Sequence, residues 1–136
     1  KNLPKNIKLL PLQPFDKMNN VLSSADIFLA MLNNDAGKYS VPSKILNYLC
    51  AGRPIVLSAS KDNLASKILK ESHSGDVFNL DNFDELNKFI NKLQNENETR
   101  KLLSVNARKY AEKNFQIKDI SAKFESIINK IIDKNK

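Results

Sequence analysis

Apolar residues along this chain follow two rhythms, short unbroken runs and positions recurring every three or four residues, and the two alternate. Residues 7–10 (Ile-Lys-Leu-Leu) read as a strand, weakened by Pro11 and Pro14. Residues 15–24 read as a helix with Asp16 placed to cap it. The run 27–31 (Ile-Phe-Leu-Ala-Met) is continuous, as expected of a strand buried on both faces. A helix over 42–51, a strand over 55–57, a helix over 63–71 and a short strand around Val77 and Phe78 follow.

The last third is all helix. Phe83, Leu86, Ile90 and Leu93 share one stripe, and Leu102, Leu103, Tyr110 and Ala111 continue it in a second helix ending near Phe115. Ile117, Ile120, Phe124, Ile127, Ile128 and Ile131 make a third, strongly amphipathic helix, and all three stripes are expected to pack on the sheet. Strand–helix–strand order with short links favours a parallel sheet with right-handed crossovers. The three glycines, Gly37, Gly52 and Gly75, fall at junctions between elements. The expected fold is α/β: a Rossmann-like open parallel sheet flanked by helices, with a helical C-terminal tail. Residues 1–115 form the α/β domain, and 116–136 form the tail packed on it.

A chain of 136 residues, 41% hydrophobic, supports one cored domain and is too short for two. Its net charge of +7 asks for an anionic partner: a phosphorylated metabolite, nucleic acid or an acidic membrane surface. One cysteine, Cys50, excludes an internal disulfide and a cysteine-based zinc site, and its place on the apolar side of the 42–51 helix reads as a buried, inert thiol. No apolar run approaches the roughly 20 residues of a membrane span, so the cytoplasm is the expected compartment. The chain opens at Lys1 without a methionine and reads as a piece of something longer.

Residues 37–54 hold the most informative chemistry. Pro42 suits a first helical position, Gly52 a left-handed helix end, and Pro54 forbids continuation. Between Asp35 and Asp62 there is no acid, while Lys38, Lys44, Arg53 and Lys61 are present. A helix start with free N–H groups, a serine, a lysine and no carboxylate nearby is a seat for phosphate. Ile45, Leu46, Leu49 and Cys50 form the expected buried side. Ser43 and Asn47, four apart, stack on another face. Two or three hydrogen bonds to a charged phosphate, at about 1.5–3 kcal/mol each, suffice for a micromolar to millimolar ligand. Spacing alone is equally compatible with an ordinary capped helix and Lys44 in solvent. His73, the only histidine, reads as loop filler.

The run from Ala25-Asp26-Ile27 through Pro42-Ser43-Lys44 to Gly52-Arg53-Pro54 resembles the C-terminal, donor-binding domain of family 4 glycosyltransferases of the GT-B fold. The bacterial surface-polysaccharide group is nearest. Leu10-Pro11-Leu12-Gln13-Pro14 and the Ala107-Arg108, Tyr110-Ala111, Asn114-Phe115 ending are similar to that group too. The resemblance implies a nucleoside-diphosphate sugar, UDP- or GDP-type, at the carboxyl ends of the strands. Ser43 and Lys44 would face the diphosphate. Gly37, Lys38, Tyr39 and Ser40 would form the loop beside the phosphates and sugar, with Gln13 and Pro14 near the base. Two glutamates eight apart commonly serve the donor in that family; Tyr39 and Asn47 stand in those places here, leaving an amide for the ribose.

It further implies transfer to a polysaccharide or lipid-linked acceptor with retained configuration. No cofactor and no metal are expected, and no Asp-x-Asp motif occurs. The acceptor-binding N-terminal domain and the first strands of the donor domain are not recognised in the chain, so these residues alone are expected to be inactive. The protein would work in the cytoplasm, at the inner face of the membrane where the acceptor is lipid-linked. A GT-B nucleotide-sugar epimerase is the nearest alternative. A basic nucleic-acid module is another, opposed by aromatics that do not interleave with the lysines. Anchoring of the last helix at a membrane surface is the third.

Overall fold

The structure, a computed structural model, describes residues 3–32, 43–79 and 81–134. A 3-10 turn at Phe15–Lys17 leads into α1 (Met18–Ser23). Then come β1 (Phe28–Met31), α2 (Ser43–Ala51), β2 (Ile55–Ser58), α3 (Leu64–Ser72) and β3 (Gly75–Phe78). Three helices close the chain: α4 (Phe83–Asn95), α5 (Asn97–Asn114) and α6 (Ile117–Lys134).

The strands form a parallel sheet in the order β1-β2-β3, with Phe28 opposite Ile55 and Ile55 opposite Gly75. Alternation along β2 divides the core. Ile55 and Leu57 join Ile45 and Leu49 of α2, Leu69 of α3, and Ala107 and Ala111 of α5 on one face. Val56 joins Phe78 and the α4 residues Leu86 and Leu93 on the other. β2 is buried throughout because it is central and covered on both faces. Ala107 and Ala111 are the buried residues of α5, and side chains that small let α5 approach α2 closely.

Several expectations change. Residues 7–10 form no strand, and Leu9 and Leu10 are exposed. Among the described residues β1 is an edge strand of the sheet, and this run does not pair with it. β1 is buried on alternate residues instead of on both faces, because α4 lies against β2 and β3 and leaves Leu29 and Met31 open. The turn at Phe15 starts from Pro14 without a side-chain cap, so Asp16 sits inside its first turn, where its carboxylate still complements the amino end. Phe83 and Leu102, assigned to the packed stripes, are 56% and 61% exposed.

The third helix forms as expected, but α6 buries none of its residues. Phe124, Ile127, Ile128 and Ile131 are all more than half exposed, at 63%, 56%, 54% and 56%. Its apolar stripe does not pack on the sheet. The helix follows α5 after Phe115 and Gln116 and makes no substantial contact with the sheet or with the helices over it. Among the described residues no helix is long and apolar enough to cross a membrane.

Candidate functional site

Because α2 crosses back from β1 to β2, its first residue lies at the carboxyl edge of the sheet and its last at the amino edge. Ser43 and Lys44 occupy its first turn, are exposed, and have no acidic residue in that turn beside them. The helix is oriented by Ile45 and Leu49, both fully buried, and by Tyr48, whose ring stacks on Phe28 of β1 at 4.0 Å and 4°. With one face fixed, Ser43, Lys44 and Asn47 must face outward. A positive helix end, an ammonium and a hydroxyl thus meet solvent together, an arrangement able to hold a phosphate.

One turn on, Asn47 opens onto a groove of about 570 Å³ between α1 and α2. Phe15, Asp16 and Asn19 form the opposite wall, and Cys50 and Arg108 continue the α2 side toward the amino edge. Gln13 and Pro14 immediately precede Phe15. Gln13 donates from Nε2 to the Pro11 carbonyl at 2.8 Å, which folds this segment on itself. The structure therefore sets Asn47 across a groove from the residues that follow Gln13 and Pro14. Gly37, Lys38, Tyr39 and Ser40 lie outside the described residues.

Cys50 is a correction: it is exposed. Leu49 takes the buried position, and one residue further is a 100° turn that carries the thiol out to the groove wall. Gly52 ends α2 in the left-handed conformation, φ 64°, with its N–H donating to the Leu49 carbonyl at 3.1 Å. Sequence reasoning missed Asp16, Asn19 and Arg108 as groove residues; the i, i+3 spacing of Asp16 and Asn19 was the available signal. It also missed Ser58, whose buried hydroxyl has no partner among the described residues and lies at the carboxyl end of the central strand, the edge where open α/β sheets take ligands.

No protein-family model matches this chain, and no solved structure matches it. Over 119 residues, 88% of its length, the chain is 23% identical to an uncharacterized glycosyltransferase of Methanocaldococcus jannaschii. It spans 29% of the length of that protein. The likeness is distant.

Proposed function

We propose that this chain is the donor-binding part of a glycosyltransferase of family 4 and the GT-B fold. Its donor is a nucleoside-diphosphate sugar of UDP or GDP type, and its acceptor a polysaccharide or lipid-linked saccharide. The observation that carries this reading is the exposed, acid-free amino end of α2 at the carboxyl edge of a parallel sheet. Similarity to a glycosyltransferase over most of the chain supports it.

In this reading the Ser43 and Lys44 backbone N–H groups, the Ser43 hydroxyl and the Lys44 ammonium take the diphosphate. Lys38 and Ser40 complete the loop beside it, with Gly37 allowing close approach and Tyr39 near the sugar. Asn47 meets a ribose hydroxyl, and the base lies toward Gln13, Pro14 and the Phe15 ring. The work of the site is electrostatic: positive groups offset the charge that develops on the leaving diphosphate, with anomeric configuration retained. The acceptor is held by parts of the enzyme beyond these residues, so the chain alone binds donor without turning it over. The compartment is the cytoplasm, at the membrane face where the acceptor is lipid-linked.

The test is a thermal-shift titration with UDP, GDP and their sugars on wild type and Lys44→Ala, since ligand binding raises the unfolding midpoint by mass action. One nucleoside diphosphate should stabilise the wild type, with affinity reduced about tenfold in the variant, the loss of one charge-assisted contact. Equal shifts in both proteins, or none in either, overturn the assignment.

A further inference from the structure

A second cavity, of about 380 Å³, lies at the amino edge of the sheet, the edge opposite Ser43 and Lys44. Its walls are Asp26 ahead of β1, Arg53 ahead of β2, and Arg100, Lys101 and Ser104 on α5. Three cations face one carboxylate. Arg53 belongs to the Gly-Arg-Pro turn, and the donor site gives it no task.

The bonding of Arg53 is incomplete. Among the described residues its guanidinium makes one hydrogen bond, from Nη2 to the Ser23 carbonyl at 3.1 Å, and no carboxylate lies within the 4.0 Å of an ion pair. Its Nε is sealed from solvent and has no acceptor among the described residues, so that atom reports on the cavity without itself lining it. A partly buried guanidinium in this condition carries an unrecovered desolvation cost. The other two cations do not relieve it. Arg100 donates to the Leu93 and Gln94 carbonyls and to Asn97, holding the end of α4, and Lys101 pairs with Glu98 at 2.9 Å. Arg53, Arg100 and Lys101 outnumber Asp26 and Glu98 around the cavity, and an anion would offset the excess.

We infer that this cavity is a second anion site, for a phosphate monoester that also carries hydroxyl groups. The phosphate lies against Arg53 and Lys101, with the Ser104 hydroxyl as a neutral donor. Asp26, the acid on the wall, repels a bare polyanion but accepts from ligand hydroxyls, which selects a hydroxylated monoester over a diphosphate. The site goes beyond the donor reading and shares no residue with it.

The test is NMR of 15N-labelled full chain, following the Arg53 Nε–H resonance during titration with glycerol 3-phosphate, against potassium chloride at equal ionic strength. A saturable shift is expected with glycerol 3-phosphate and not with chloride. Lys101→Gln, an exposed change, should weaken it about tenfold, the loss of one charged contact. Lys44→Ala should leave it unchanged, so failure here and failure of the donor site are separately visible. Vesicles containing phosphatidic acid form a second arm. A shift from vesicles alone assigns the same chemistry to a lipid headgroup, and a shift from the free monoester assigns it to a soluble metabolite. Absence of a saturable shift in both arms, or one indifferent to Lys101→Gln, overturns the proposal.

Discussion

Arg108 of α5 donates from Nη1 to the carbonyl of Cys50 at 2.9 Å, a bond that reaches back 58 residues to the last turn of α2. The end of α2 is otherwise closed by Gly52, and a Cβ added there would meet the Arg108 Cβ at 3.4 Å. Glu112 holds the same guanidinium through Nε at 2.7 Å, so the arginine is aimed as well as anchored. Arg108→Ala should cost about 1 kcal/mol, the net worth of a partly exposed charged hydrogen bond, read as a lower urea midpoint with unchanged slope.

Gly75 allows no side chain. A Cβ there would sit on the Ile55 carbonyl oxygen of the neighbouring strand. Backbone cannot swing aside as a flexible side chain would, so Gly75→Ala should cost at least about 3 kcal/mol. Circular dichroism during thermal unfolding reads this, and an unchanged midpoint would mean that β3 starts elsewhere.

His73 earns its place through its backbone. It closes α3 in the left-handed conformation, φ 49°, with its N–H donating to the Lys70 carbonyl at 3.3 Å. Its own carbonyl accepts from Asn106 Nδ2 at 2.9 Å. Glycine bears that conformation without steric cost, so His73→Gly should stabilise the protein by about 0.5–1 kcal/mol. The opposite sign in denaturant titration would show that the imidazole has a task of its own.

Tyr110 donates to Glu71 at 3.3 Å, and its phenol titrates above the ordinary 10.0, first through burial and then through the neighbouring carboxylate. Below pH 10.0 folded and unfolded chains both keep the proton. Above it the unfolded chain loses the proton first, so stability falls as pH rises toward the folded value. Tyr110→Phe should flatten this alkaline limb. Urea midpoints of the two proteins, compared from about pH 9 to 11, isolate the tyrosine from the lysines.

The sequence was legible where local pattern and final environment coincide. The run ending in Ser58 became the central strand because both its faces are covered, and Asn63, which accepts from the Ala65 N–H at 2.8 Å, marks the start of α3. It misled where environment depends on a distant element. Leu29 and Met31 look like core, yet only the position of α4 decides whether that face is covered. Leu9 and Leu10 look like a strand, but a short apolar run does not say whether it docks on a sheet edge, and this one stays exposed. Ile127 and Ile131 show the same limit: their spacing specifies an amphipathic helix without saying what it meets. Along α2, the shared outward face of Ser43 and Asn47 was readable from i, i+4 spacing, and the structure leaves both exposed. Arg53 was readable as a cation of the acid-free stretch, but its place at the amino edge, away from Ser43 and Lys44, is a fact of three dimensions.

The outward turn of Cys50 gives this protein a built-in place for a reporter. The chain has a single thiol, and it stands on the same groove wall as Asn47. A fluorophore or spin label attached by maleimide would therefore occupy one known position, without first removing competing cysteines. Its mobility would follow whatever enters between the first two helices.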